Sequence, residues 1–130
     1  MSTAVDDVKA RIDAIEQSYE FFLAYAAQGL TTDQGAKSGG QLRDFLAKTQ
    51  GALDGLADAI EEACAGREPA DAWADMVDVV RNDARAALAA VRLVSAREGV
   101  SSQLVDNLNA SVHLRALLTD LFLVDELVGR

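Results

Sequence analysis

The sequence has little of what most metal centres, disulfides and nucleophilic sites require. Its 130 residues include one cysteine, one histidine and one proline. A single cysteine excludes an internal disulfide and a cysteine-based zinc site. A single histidine excludes most histidine-built metal centres and any triad that uses a second histidine. We therefore expect no metal and no cofactor.

Basic charge is also scarce. The chain has 12 Lys or Arg residues against 21 Asp or Glu residues, which gives a net charge of −9. Contact with a phosphate backbone needs a basic surface, so we expect no nucleic-acid partner. An acidic protein can instead imitate nucleic acid and block a basic cleft. This is the weaker alternative here, because arginines are interspersed among the acids.

Long apolar runs and a targeting segment are missing as well. The longest apolar run near the C-terminus covers 121–124, whereas a membrane-spanning helix needs about 20 apolar residues. The segment 1–7 carries two acids and lacks the basic and apolar regions of a signal peptide. The predicted location is cytoplasmic, and no membrane partner is expected.

Helical periodicity is the strongest positive signal. Half of the residues are hydrophobic, and one proline, Pro69, interrupts helix-compatible sequence. In the third predicted helix, apolar residues alternate at spacings of three and four, as in a coiled coil. This seam consists of Trp73, Val77, Val80, Ala84, Ala87, Val91 and Val94.

Caps and glycines limit four predicted helices, at about 3–28, 41–65, 69–98 and 101–128. Ser2 or Thr3 caps the first helix, and Pro69 begins the third. The second helix is predicted to continue through Gly55, which lies inside its apolar pattern. Short connections after the second and third helices favour antiparallel neighbours.

The predicted fold is all-α: a single domain over 1–130, formed as an up-down-up-down four-helix bundle. Its first connection, at 29–40, is longer and rich in glycine. Extended, this connection could just run the length of a helix, so a crossover after the first helix is the alternative.

Apolar residues at two places exceed what the core of one bundle needs. Phe21 lies opposite the apolar seam of the first helix, with Tyr25 near it, and the end of the fourth helix is apolar around most of its circumference. The candidate interface residues are Phe21, Tyr25, Leu114, Leu117, Leu118, Leu121, Phe122, Val124 and Val128. The alternative is that four packed helices already cover both groups.

This interface predicts a non-enzymatic protein that binds other proteins as a regulator, adaptor or accessory factor. Self-association as a homodimer is expected, because a twofold contact lets one stripe cover itself. A different protein with a basic surface is the other expected partner, since it complements the negative charge. Whether a small hydrophobic ligand occupies the bundle stays open.

The single histidine, His113, provides the alternative function. It lies on the fourth predicted helix in a stripe with Asp106, Ala116 and Asp120. A lone helical histidine with small neighbours in an acidic four-helix protein resembles a histidine phosphotransfer domain, and the resemblance covers this helix alone. It implies an exposed imidazole that carries a phosphoryl group. These domains usually have a basic residue three positions after the histidine and glycine at the fourth, where this chain has Ala116 and Leu117. The other interpretation is a surface histidine paired with Asp106 or Asp120.

No other motif predicts a catalytic residue. Cys64 follows Glu61 and Glu62 at the end of a predicted helix, where the surroundings raise a thiol pKa, so we expect an inert side chain. The loop at 35–39 is superficially similar to a phosphate-binding loop but lacks the preceding strand. A di-iron site needs two Glu-x-x-His pairs, and Ala110 occupies the position three before His113.

Overall fold

The structure, a computed structural model, describes residues 3–128. Within this range the chain forms six helices and no strand: α1 (Ala4–Ala26), α2 (Gly39–Leu53), α3 (Leu56–Ala63), α4 (Ala70–Ser95), α5 (Ser102–Ala110) and α6 (Val112–Val128). The prediction of an all-α fold is confirmed. The prediction of four continuous helices is wrong, because the second and fourth predicted helices are each divided in two.

The first break separates α2 from α3 at Asp54 and Gly55. Gly55 has a φ of 79°, a left-handed conformation that glycine adopts without steric cost. Arg11 of α1 stabilises the break, because its Nη1 donates to the carbonyl oxygens of Ala52 at 3.1 Å and Asp54 at 2.6 Å. The last carbonyl oxygens of a helix have no partners within it. Gly55 therefore ends a helix that was predicted to continue through it.

The second break separates α5 from α6 at Ser111, whose backbone is extended with ψ 130°. The segment 106–111 is rich in Asp, Asn and Ser, whose side chains compete with the helix for backbone hydrogen bonds. One of these side chains turns to another helix: Asn109 Nδ2 donates to the carbonyl oxygen of Tyr19 in α1 at 3.3 Å. Weak helix propensity and a contact to α1 thus coincide at this break.

The predicted cap of the first helix is confirmed at Thr3. Its hydroxyl accepts a hydrogen bond from the backbone of Asp6, and the Asp6 carboxylate accepts one from the backbone of Thr3. Ser2, the other predicted cap, lies outside the described residues. Pro69 directly precedes α4, which begins at Ala70.

The two long helices, α1 and α4, organise the core, because each packs against α2, α3, α5 and α6. The predicted seam of the third helix is buried except at its first member, Trp73, which is partly buried. From α4 the core receives Val77, Val80, Ala84, Ala87, Val91 and Val94.

The candidate interface is mostly core, which corrects its prediction as an exposed surface. Seven of its nine residues are buried within the chain: Tyr25, Leu114, Leu117, Leu118, Leu121, Val124 and Val128. Phe21 is partly buried, because Phe45 of α2 stacks on it with ring centroids 4.5 Å apart. Phe122 is the exception, at 58% exposed. The core of the six-helix fold thus covers more of the apolar surface of α6 than the sequence indicated.

The connection between α1 and α2 is held in place by Asp33, which is 7% exposed. Its carboxylate accepts hydrogen bonds from the backbone of Val100 at 2.7 Å and from Arg43 Nε at 2.9 Å. Arg43 also donates to the carbonyl oxygen of Ser95 at the end of α4. The hydrogen bond from Arg43 holds the pKa of Asp33 below its ordinary value in spite of burial.

Two further side chains join the same place. The Tyr25 hydroxyl donates to the carbonyl oxygen of Val100 at 2.7 Å, and the Ser102 hydroxyl donates to that of Tyr25 at 2.6 Å. We refer to Asp33, Arg43, Val100, Tyr25 and Ser102 as the loop hub. Tyr25, predicted as an interface residue, thus links α1 to the connection between α4 and α5 inside the protein.

Candidate docking groove

Large apolar side chains remain exposed on α4 and α6 after the core has formed. Leu123 and Leu127 on α6 are 53% and 47% exposed, and Val79 on α4 is 44% exposed. Leu123 and Leu127 are four residues apart, so they lie on the same face of α6, one turn from each other. This face is distinct from the buried stripe that contains Leu121 and Val124.

A groove of about 530 Å³ separates this face from the beginning of α4. The two helices run in opposite directions here, so the start of α4 lies beside the end of α6. The groove is lined by Arg67, Glu68, Pro69, Ala72, Trp73, Met76, Leu123, Val124 and Leu127. Most of these side chains are apolar, and we refer to this feature as the α4–α6 groove.

Arg67 closes one end of the groove. Its guanidinium donates to the carbonyl oxygens of Leu127 at 3.0 Å and Val128 at 2.8 Å, the last carbonyls of the described part of α6. The same group lies 5.8 Å from the centre of the Trp73 ring, within the range of a cation–π contact. Arg67 therefore ties the end of α6 to the start of α4 and holds the groove in shape.

Two carboxylates lie beyond the other end of the groove, on the same pair of helices. Asp83 of α4 and Asp120 of α6 are both partly buried, and neither forms an ion pair within residues 3–128. Asp120 Oδ2 is buried, and no described group donates a hydrogen bond to it. Burial, with the neighbouring Asp83 carboxyl adding to it, raises the pKa of Asp120 to about 7. When one of the two is protonated, its O–H can donate to the other.

A second, more polar groove lies between α1 and α6 and contains Phe122. It has a volume of about 320 Å³ and is lined by Glu16, Tyr19, Glu20, Arg115, Leu118, Thr119 and Phe122. Burial raises the pKa of Glu16, and the nearby Asp125, Asp13 and Glu20 raise it further. The exposed phenyl ring of Phe122 thus belongs to an acidic groove separate from the α4–α6 groove.

His113 is exposed in the first turn of α6. No described residue forms an ion pair with it, so the predicted pairing with Asp106 or Asp120 is wrong: Asp120 lies beside Asp83 instead. Cys64 is buried, and burial raises the pKa of its thiol, in agreement with the expectation of an inert side chain. Of the residues predicted to carry chemistry, none meets another at a common site.

Sequence reasoning missed the α4–α6 groove, although two of its signals were available. Trp73 was predicted as the first member of the apolar seam, but it is partly buried and lines the groove together with Met76. Leu123 and Leu127 continue the stripe of Ala116 and Asp120 along α6, outside the heptad seam. Two leucines four residues apart on this second face of α6 were the second available signal.

Within residues 3–128, no group of three or more His, Cys, Asp or Glu side chains is placed to hold a metal ion, and no described helix is long and apolar enough to cross a membrane. No protein-family model matches the chain, and comparison with curated proteins and with solved structures finds no match. The basis for a functional proposal is therefore the chemistry of the groove itself.

Proposed function

We propose that this protein acts without catalysis, as a protein-interaction module whose α4–α6 groove binds a helix of another protein. The observation that carries the proposal is the exposure of Leu123 and Leu127 beside an apolar groove. Covering apolar surface contributes about 25 cal/mol per Å². Contiguous exposed apolar surface with polar residues around it is typical of protein-binding sites.

The shape of the groove favours a helix as its occupant. Its walls are two antiparallel helices, with Trp73 and Met76 on one side and Leu123 and Leu127 on the other. A third helix can place side chains spaced three and four residues apart between such walls. An apolar side chain of leucine size then enters the space between Met76 and Leu123.

The proposed scaffold is a bundle of four rods: α1, α2 with α3, α4, and α5 with α6. The packing of α1 and α4 against both broken rods supports this arrangement. The groove lies between the third and fourth rods. Because Arg67 connects these rods at the end of α6, a partner meets a surface that is already formed, which lowers the entropic cost of binding.

We still propose self-association, but through a surface different from the one predicted from the sequence. The stripe predicted to pair with a second copy is core, so a dimer would use Leu123 and Leu127 instead. Sedimentation of the wild type at micromolar concentration tests it against the 13.8 kDa mass of the chain. If the wild type has twice the mass of one chain and Leu123→Asp has the mass of one chain, the occupant of the groove is a second copy.

Trp73 provides the test of the groove, because it is the single tryptophan of the chain and lines the site. The probe is a synthetic amphipathic helix of about 15 residues, with Leu on one face and Gln on the other and without Trp or Tyr. We expect the peptide to shift the emission of Trp73 to shorter wavelength in a saturable manner. Leu123→Asp should weaken this binding at least tenfold.

The matched control is Leu93→Asp. Leu93 is 75% exposed on the same helix as Trp73 and Met76, but it lies 17 residues beyond Met76, about 25 Å along α4. We expect no change in binding. Equal weakening by the two substitutions, or no weakening by Leu123→Asp, would contradict the groove as docking surface.

The exposure of His113 favours a second candidate, phosphotransfer, since a receiver domain must reach the imidazole. In that case the protein incubated with a phosphorylated receiver should acquire acid-labile phosphate, and His113→Gln should abolish the labelling without changing the helical circular dichroism spectrum. Labelling that persists in the variant, or none in the wild type, would remove this candidate.

A further inference from the structure

We infer that the helix bound in the α4–α6 groove is basic: it places an apolar side chain between Met76 and Leu123 and a Lys or Arg against Asp83 and Asp120. This inference rests on the proposed function of the groove. It adds the chemical class of the partner, an amphipathic helix with a cationic face, and the spacing of its two anchors.

The positions of the two carboxylates determine that spacing. Asp83 follows Met76 by seven residues on α4, which is about 10 Å along the helix axis. Asp120 precedes Leu123 by three residues on α6, so the pair lies one to two turns beyond the apolar anchor point. A partner helix therefore needs its cation about 5 to 10 Å, or one to two turns, from the apolar side chain that enters the groove.

Within residues 3–128, each Lys or Arg that forms an ion pair does so with a carboxylate other than Asp83 or Asp120. Lys9 pairs with Asp125, Arg43 with Asp33, and Arg81 with both Asp58 and Glu61. Arg11 pairs with Asp7. The Asp83–Asp120 pair is thus partly removed from water without an opposite charge of its own.

The charged groups on the neighbouring helices leave this pair uncompensated. On α1, Lys9 and Glu16 interact with Asp125, on a different face of α6. On α5 the single titratable residue is Asp106, and the charge that acts on Asp120 is that of Asp83 on α4. A cation supplied from outside the chain would complete the arrangement.

Charge also decides between the possible occupants. A second copy of the chain brings a net charge of −9 and its own Asp83 and Asp120 to the contact, so like charges would face each other. A neutral helix would cover the apolar walls but leave the two carboxylates beside an apolar interface. A basic helix covers the walls and pairs the carboxylates.

This pairing couples binding to protons. Burial, with Asp83, raises the pKa of Asp120 to about 7, whereas a bound cation favours the ionised form. When the Asp83–Asp120 pair holds a proton, binding of a basic helix therefore releases that proton. Its affinity should rise as the pH increases from about 6 to 8.

The experiment compares three peptides with the same Leu face and with Gln, Lys or Glu on the polar face, again by Trp73 emission at low salt. We expect the Lys peptide to bind about tenfold more tightly than the Gln peptide at pH 8, and the Glu peptide to bind least tightly. In the double variant Asp83→Asn, Asp120→Asn, the preference for Lys over Gln should disappear while the Gln peptide still binds.

The control removes the same amount of charge elsewhere. Asp44 on α2 and Asp106 on α5 are exposed and have no ion-pair partner among the described residues. Replacing both with Asn changes the net charge from −9 to −7, as the double variant at the groove does. We expect this control to retain most of the preference for the Lys peptide.

The outcomes separate the inference from the proposed function. A Lys preference that both double variants reduce equally would come from overall charge and would overturn the inference, as would an affinity for the Lys peptide that does not rise with pH. Binding of the Gln peptide that is insensitive to Leu123→Asp would overturn the groove itself.

Discussion

Asp33 and Asp120 are two carboxylates that folding removes wholly or partly from water, and their hydrogen-bond partners differ. Asp33 accepts hydrogen bonds from Arg43 and from the backbone of Val100, and its pKa is lowered. Asp120 faces another acid, Asp83, has a buried oxygen without a donor within residues 3–128, and has a pKa raised to about 7.

The difference indicates different roles for the two regions. A carboxylate that is fully paired inside the chain stabilises the fold, and Asp33 does so by joining two loops in the loop hub. A carboxylate that is partly buried without a partner costs stability. Its position near an exposed apolar groove supports the proposal that the groove binds a partner.

The largest expected effect comes from breaking the loop hub. Asp33→Ala leaves the Val100 N–H without its acceptor and removes the carboxylate that pairs with Arg43, which keeps the carbonyl oxygen of Ser95 as an acceptor. Losing one partner of a buried charged contact costs about 3 kcal/mol. Urea denaturation followed by circular dichroism measures the loss in the free energy of unfolding. The control, Asp44→Ala on the exposed face of α2, should change it by less than about 0.5 kcal/mol. A loss below about 1 kcal/mol for Asp33→Ala would show that the hub is not a major source of stability.

A smaller effect is expected from crowding the hub. A Cβ atom added to Gly39 would overlap the backbone carbonyl oxygen of Asp33, whereas one added to the neighbouring Gly40 would meet no atom. Gly39→Ala should therefore lower the free energy of unfolding by about 2 kcal/mol. Gly40→Ala should raise it by about 0.5 kcal/mol, because alanine restricts the unfolded chain. Similar melting temperatures for the two variants would contradict the close approach.

Asp120 and Asp33 should make opposite contributions to the pH dependence of the free energy of unfolding. Asp120 has a folded pKa of about 7, above the unfolded value of about 3.9. Between these values the folded state holds a proton that the unfolded state lacks, so stability falls as the pH rises from about 4 to 7. Asp33 has a lowered folded pKa, so its contribution is present above about pH 4 and is lost as the pH falls further.

The wild type should therefore unfold at a higher urea concentration at pH 5 than at pH 8. Asp120→Asn should raise the free energy of unfolding at pH 8 by about 1 kcal/mol and by less at pH 5. Some slope will remain, because the pKa of Glu16 is also raised. An Asp120→Asn variant with the full pH slope of the wild type would contradict the uncompensated pair; Asp106→Asn serves as the exposed control.

The smallest change in the free energy of unfolding is expected from a substitution in the wall of the groove. Leu123→Asp should change the free energy of unfolding by less than about 0.5 kcal/mol, since half of this side chain is already in water. The contrasting substitution is Leu121→Asp, two residues earlier, which buries a charge in the core and should prevent stable folding. A melting temperature of Leu123→Asp far below that of the wild type would assign Leu123 to the core.

Much of the fold could be predicted from local patterns. The alternating seam of α4 is buried from Val77 to Val94, and Thr3 caps α1, because side-chain spacing and capping act over a few residues of the same chain. The breaks at Gly55 and Ser111 were missed for the same reason. A glycine inside an apolar pattern is compatible with a helix, and here Arg11, on a different helix, holds the carbonyl oxygens on which the break depends.

The sites were less predictable than the helices. The end of the fourth predicted helix has two apolar faces, and nothing within that helix determines which one its neighbours cover. The structure buries the face of Leu121 and leaves that of Leu123 and Leu127 half in water. Phe21 was expected in solvent because it lies opposite the apolar seam of its own helix. Its contact with Phe45 could not be predicted, since this contact depends on how α1 and α2 pack.

The sequence by itself determined the helical class, the places where the main helices begin, the acidic character of the surface and the apolar seam of α4, since composition and periodicity are local properties. The tertiary structure alone decided which apolar face is core, that Asp33 meets Arg43, and that Asp83 meets Asp120. These pairs are separated by 10 and 37 positions along the chain. Their proximity, and the protonation that follows from it, arises only when helices and loops pack together.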